Sequence, residues 1–180
     1  MRSFPLIALL LAALVLLGCG GSDFEGDVDV PDGYDTYSGN GVSFVHPAAW
    51  EATTRELTDR VTEIRFQDSA TDGPNAPAVS FTMQDRVGGR FDAMLDSRRE
   101  LLETTRDAKV SQEEVDVPGA RLAYRSRIEL PGDGNGSSTS EAVDVLTPDG
   151  RHLALAAGGR DDEDAVDAGA VVDSLRLEQR

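Results

Sequence analysis

An α+β domain, an antiparallel sheet flanked by two helices, is the fold class this sequence predicts. Apolar and polar residues alternate with a period of two over 61–67, 78–84 and 122–130, the pattern of half-buried strands. Short segments rich in Gly, Pro and Asn separate the alternating runs, and such turns join neighbouring strands antiparallel. Helical spacing of apolar residues is confined to 91–105 and 165–175. Alternating strands need cover on one face, and two helices can supply it.

Tyr37, then Val42 and Phe44, predict a first hairpin that turns at Gly39-Asn40-Gly41. An Asn-Gly step favours the tight turn that matches strand twist. Pro47 ends the second strand, and Trp50 follows. Thr62, Ile64 and Phe66 alternate with Val61, Glu63 and Arg65, and Val79, Phe81 and Met83 alternate with Ser80, Thr82 and Gln84. Asp72-Gly73-Pro74-Asn75 between them is turn chemistry. Gly88-Gly89 closes this strand run. Phe91, Met94, Leu95, Leu101 and Leu102 then fall at helical spacing and read as a core-facing stripe, with Asp92, Arg99 and Glu103 facing water. Asp92 and Asp96 come early and Arg98, Arg99 and Arg106 later, which suits the helix dipole.

In the second half, Val115 and Val117 precede Pro118-Gly119. Residues 122–130 form the clearest strand, with Leu122, Tyr124, Ser126, Ile128 and Leu130 on one face and Ala123, Arg125, Arg127 and Glu129 on the other. Residues 131–138 are a polar loop. Strands near 141–147 and 151–158 flank a Pro148-Asp149-Gly150 turn. Asp161 to Asp164 lead into Ala165, Ala168, Val171, Val172 and Leu175, a helix with Asp161 or Asp162 as N-cap. The four clustered acids suit the positive end of that helix, a simpler account than a metal site.

The chain opens on Arg2 and an uncharged run from Phe4 to Leu17, interrupted only by Pro5. A spanning helix needs about 20 apolar residues, so this run fits the apolar region of a signal peptide. It ends in Leu16-Leu17-Gly18-Cys19, and Cys19 is the only cysteine. This arrangement resembles the lipobox of bacterial lipoprotein precursors. The resemblance implies that residues 1–18 are removed, that Cys19 becomes the first residue and that its thiol carries the lipid. Two or more acyl chains hold a protein to a bilayer, where one is marginal. With Cys19 acylated, no cysteine is left for disulfides or a thiol nucleophile.

Residues 19–35 read as an acidic flexible tether and 36–180 as one folded domain. The segment 20–35 has six acidic residues and no basic one, with Gly and Pro interspersed, and buries too little apolar surface to offset its ordering entropy. Asp27, Asp29 and Asp32-Gly33 miss the calcium-loop spacing, and Ser38 stands where that loop requires Glu. The whole chain carries a net charge of −16, and losing Arg2 with the leader makes it −17. That balance argues against nucleic-acid binding and against direct docking on anionic lipid.

Tyr37-Ser38-Gly39-Asn40-Gly41-Val42-Ser43-Phe44-Val45-His46-Pro47, followed by Trp50, resembles the opening of PsbP-like and Mog-like domains. Asp173-Ser174-Leu175-Arg176-Leu177 resembles the end of their last helix. Small actinobacterial lipoproteins of the Lpq type share this look. The resemblance spans about residues 36–178 and implies an α/β/α sandwich around a central antiparallel sheet. It also implies a role in binding, stabilising or scaffolding other macromolecules. Gly39 and Gly41 then shape a turn, Pro47 ends a strand and Trp50 packs in the core.

No G-x-S-x-G, H-E-x-x-H, S-x-x-K or P-loop pattern is present. The two histidines, His46 at a strand end and His152 after a turn, have no spacing that brings them together and read as surface or strand-end residues. The expectation is a monomeric, non-catalytic, cofactor-free binding or scaffolding domain, held to the outer face of the cytoplasmic membrane through Cys19. Its partner would be an envelope protein or glycolipid, engaged by the Arg125/Arg127 strand face or the acidic loops. A carrier of a small apolar or lipid ligand between sheet and helices is the alternative, and a hydrolase of envelope polymers a third reading.

Overall fold

The computed structural model describes residues 29–71, 76–131, 137–160 and 166–178. The leader, Cys19, Asp27 and most of the expected tether lie outside the described residues, as do the 72–75 turn, most of the 131–138 loop and Asp161–Asp164 with Ala165. The strands, in chain order, are β1 (Tyr34–Gly39), β2 (Val42–Pro47), β3 (Glu51–Thr58), β4 (Val61–Gln67), β5 (Ala78–Gln84), β6 (Lys109–Glu114), β7 (Leu122–Leu130), β8 (Ser138–Leu146), β9 (His152–Arg160) and β10 (Arg176–Leu177). Helix α1 (Phe91–Arg106) lies between β5 and β6, and α2 (Ala168–Asp173) between β9 and β10. Among the described residues the architecture is two antiparallel sheets and two helices. Seven strands run in the order β3-β4-β5-β9-β8-β7-β6, and three in the order β1-β2-β10.

The first hairpin turns where expected. Asn40 (φ 57°) and Gly41 (φ 79°) are both left-handed, and Gly39 pairs with Val42, the geometry a two-residue hairpin needs. Alternation then decides the layers. Val79 and Phe81 on β5, Val143 and Val145 on β8, and Leu153 and Leu155 on β9 pack with Val42 and Phe44 of β2 and Val171 and Val172 of α2 in the main core. Phe44 is the hub, in ring contact with Tyr37, Phe66 and Phe81 at 4.9–5.8 Å between centroids. The Ser174 hydroxyl locks the layers together. It accepts from the Val45 N–H at 2.8 Å and donates to the Val171 carbonyl at 2.6 Å. On the opposite face of the seven-stranded sheet, Leu146 belongs to a smaller core with Val87 and with Phe91 and Leu95 of α1.

Several expectations are corrected. β1 starts at Tyr34, inside the expected tether. The Tyr34 hydroxyl accepts the Asp167 N–H at 2.9 Å and ties the strand to α2. β3 was not foreseen because it is an edge strand exposed at all eight positions, and a strand with no buried face shows no alternation. β6 covers 109–114, whereas Val115 and Val117 lie in the turn that follows. The core-facing stripe of α1 is narrower than expected: Phe91 and Leu95 are buried, Met94 and Leu102 half-buried, and Leu101 is 59% exposed. Arg99, expected in water, is half-buried. α2 is capped by Asp167, whose carboxylate accepts the Ala170 N–H at 2.9 Å, so neither Asp161 nor Asp162 is its N-cap. α2 ends at Asp173, and Arg176-Leu177 is not helical but pairs with Ser43 and Val42 of β2. Trp50 packs half-buried at the margin of the main core.

Leu95→Ala is expected to lower the unfolding free energy by about 2–5 kcal/mol, whereas Leu101→Ala should change it by less than about 0.5 kcal/mol. Urea denaturation of the two variants checks the face of α1. Equal costs would mean the helix is rotated from this position.

Candidate functional site

The sheet places Arg125 and Arg127 on one face of β7, beside Glu141 of β8. Arg125 Nε donates to Glu141 Oε2 at 3.0 Å, a second Arg125 nitrogen also reaches that oxygen, and Nη1 donates to Asp173 Oδ1 at 2.7 Å. Arg127 reaches Glu141 Oε1 at 3.4 Å and Glu129 Oε1 at 3.3 Å. The hydrogen bond that Arg125 donates to Glu141 raises the Arg125 pKa above its ordinary value, with partial burial opposing and the charges of Asp173, Glu141 and Glu113 adding to it. A shallow cavity of about 300 Å³ lies over this ladder, lined by Ser111, Gln112, Glu113, Arg125, Arg127 and Glu141. The two guanidinium groups expected to receive a partner are thus already matched by at least as many carboxylates.

The opposite face holds a cluster that sequence reasoning missed. Asp144, fully buried near the end of β8, accepts from Arg98 of α1 through both oxygens, at 3.0 and 2.7 Å. The Nε2 of His152 lies 2.9 Å from Asp144 Oδ1. His152 opens β9, at a strand end as expected, but it is buried against the edge of Phe91 at 5.5 Å and does not lie at the surface. Its Nδ1 is buried with no hydrogen-bond partner among the described residues. A His–Asp pair suggests hydrolysis, yet the nitrogen that would take a nucleophile's proton meets no serine there. Tyr124 stacks on Phe91 nearby, at 6.1 Å. Its phenol is pushed above its ordinary pKa by partial burial and then by the charges of Asp92, Glu114 and Asp96. No sequence signal marks this cluster, because the register that sets Asp144 opposite Tyr124 exists only in the folded sheet.

His46 is buried too, stacked on Phe66 at 4.1 Å, with Nδ1 3.0 Å from the Pro47 carbonyl. It faces the main core, and His152 faces the other side of the seven-stranded sheet, so the two histidines form no pair. Among the described residues, no three His, Cys, Asp or Glu side chains are placed to hold a metal ion.

A second cavity, of about 450 Å³, opens at one end of the sheets, where the 40–41, 118–119 and 148–150 turns meet. Asp149 stands on its rim and accepts from the Thr147 hydroxyl and from Arg151 Nε, the latter at 3.0 Å. These contacts hold its carboxyl below the ordinary value, the Thr147 hydroxyl foremost and Arg151 next, with burial opposing.

Two antiparallel sheets and two helices in this order make a recognised arrangement. The chain has a PsbP-like fold: it superposes on the solution structure of cyanobacterial PsbP (CyanoP) from Synechocystis sp. PCC 6803 with a TM-score of 0.58. The two are 18% identical, and the match covers 90% of this chain and 98% of CyanoP. A crystal structure of PA94, a protein of unknown function from Pseudomonas aeruginosa, matches at 13% identity over 71% of this chain and 83% of its own. Its TM-score of 0.39 is too low to show a common fold. No protein-family model and no curated protein sequence matches the chain.

Arg98→Leu would strand the buried Asp144 charge and is expected to cost about 3 kcal/mol, the low end for a broken buried pair because Arg98 keeps part of its surface in water. Chemical denaturation measures it, and a cost near zero would mean that the bond between α1 and β8 is absent. Asp149 gives a pH-dependent test. A carboxyl held below its ordinary pKa of 3.8 stabilises the fold fully above that value, and the contribution fades as the pH falls through the folded-state value. Asp149→Asn should therefore lower Tm near neutral pH, and the gap from wild type should close in strong acid. A gap of constant size from neutral pH into strong acid would rule this out.

Proposed function

We propose that this chain is a lipid-anchored, non-catalytic binding or scaffolding domain on the outer face of the cytoplasmic membrane, with the α/β/α arrangement of actinobacterial Lpq-type lipoproteins. The observation that carries the proposal is Leu16-Leu17-Gly18-Cys19 at the end of an uncharged run, directly ahead of an acidic Gly-rich segment and a packed domain. Diacylation at Cys19 would supply the attachment, and the net negative charge would hold the domain off an anionic bilayer. Tyr34 N–H donates to the Pro31 carbonyl at 3.1 Å and Ala48 N–H to the Gly33 carbonyl at 2.9 Å, so the packed domain reaches back at least to Pro31.

Two features favour binding over catalysis or carriage. Asp144 and His152 are spent on holding α1. The space between the main sheet and α2 is filled by Phe44, Phe81 and Leu155, none of which has any exposed surface, and this disfavours an apolar ligand held there. The partner would be an envelope protein, with an envelope glycolipid second.

Intact-mass analysis of the protein extracted from membranes should find a chain beginning at an acylated Cys19. Cys19→Ala should keep its leader and lose the lipid. A mature chain with an unmodified Cys19 would overturn the anchor. Cross-linking in membranes followed by mass spectrometry should identify a bound partner, and turnover of an envelope polymer by the purified protein would overturn the non-catalytic role.

A further inference from the structure

The end cavity has a lining that selects a ligand. Gly41 and Gly119 line it in left-handed conformations, φ +79° and +84°. A Cβ on Gly119 would stand 3.5 Å from the Leu177 side chain, and one on Gly41 would stand 3.6 Å from Glu178 Oε2. The turns therefore leave open the space their side chains would take. The floor is apolar, made by Leu153 and Leu177, which are 1% and 6% exposed. A volume of about 450 Å³ falls within the roughly 300–1,000 Å³ of ligand pockets.

Three charged groups stand around that floor: Asp149, Arg151 and Glu178. Asp149 and Arg151 compensate each other at 3.0 Å. The Glu178 carboxylate has no hydrogen-bond or ion-pair partner among the described residues, although its own N–H, bonded to the Gly41 carbonyl at 2.9 Å, fixes it at the rim. One uncompensated carboxylate above an apolar floor fits a side chain with an aliphatic stem and a cationic end. Arginine and lysine have that form. An anionic ligand would meet both Glu178 and the field of a chain with net charge −16, a field that attracts basic partners.

We propose that this cavity is the docking site for an arginine or lysine side chain on a basic segment of an envelope protein. The proposal rests on the binding-domain reading above and names the chemistry of its partner.

The test uses the full chain in detergent micelles. The probe is a blocked Leu-Arg-Leu peptide, compared with its citrulline analogue, which keeps the shape and removes the charge. The arginine peptide should shift the backbone amide signals of Gly41, Gly119 and Gly150 and should bind about tenfold more tightly than the citrulline peptide. Glu178→Gln should abolish that preference, and Glu56→Gln, on the distant edge strand, should keep it. Equal binding of the two peptides to the wild-type protein, or shifts centred on Arg125 and Arg127, would overturn the site. Cross-linking in membranes separates this proposal from the broader one. A partner captured equally by wild type and Glu178→Gln would sink the cavity and leave the binding role standing. Peptide discrimination with no captured protein would overturn the protein partner.

Discussion

Asp144 is a carboxylate with no exposed surface on β8, an interior strand of a seven-stranded sheet, and the placement of α1 depends on how that charge is satisfied. Taking an ion out of water costs several kcal/mol even after relaxation. Two parallel bonds from Arg98 and one contact from His152 offset the cost, and both oxygens are occupied. Arg98 lies two turns along the helix from Phe91, so the bidentate bond fixes both the position and the rotation of α1. Phe91 and Leu95 then turn inward toward Leu146, and Leu101 is carried round to water. The apolar contact is small, because only Phe91 and Leu95 of α1 are buried. The polar clamp supplies the orientation that so narrow a stripe leaves loose.

A different economy governs the other face. There, β2 and α2 bury Phe44, Val171 and Val172 against Phe81, Val143 and Leu155, and aromatic and branched side chains make a continuous core. Charges are pushed to its edge, where Arg125 joins β7 to α2 through Glu141 and Asp173. Among the described residues Arg60, Arg98, Arg99, Arg125, Arg127 and Arg151 are paired with carboxylates, and the excess of acids over bases sets the field outside. That field is negative, and at the end cavity the uncompensated carboxylate belongs to Glu178.

Much of the fold was legible because its strands are one-sided. The runs 61–67, 78–84 and 122–130 coincide with β4, β5 and β7, since a strand with one face on a core must alternate. The Asn40-Gly41 and Pro148-Asp149-Gly150 turns were legible for a related reason: Asn40, Gly41 and Gly150 adopt the left-handed backbone that few other residues accept. β3 was invisible because neither of its faces is covered. The break between α2 and β10 was hidden as well: Leu175 and Leu177 are both buried, but Arg176-Leu177 is extended against β2 and not helical. The candidate site was less legible than the fold, since Arg98 and Asp144 are 46 residues apart and each has an ordinary local reading, one as a helix-end cation and the other as a strand acid.

What the sequence by itself determined was local: the period of each strand, the turns that join them, the amphipathic run of α1 and the negative balance of charge. Those properties follow from side-chain chemistry within a few residues. Tertiary structure alone decided which face each helix covers, that His152 is buried beside Asp144, and that turns around Gly41, Gly119 and Gly150 meet over Leu153 and Leu177. Each of these brings together residues distant in the chain, and their cost or gain exists only once desolvation and packing are shared between elements.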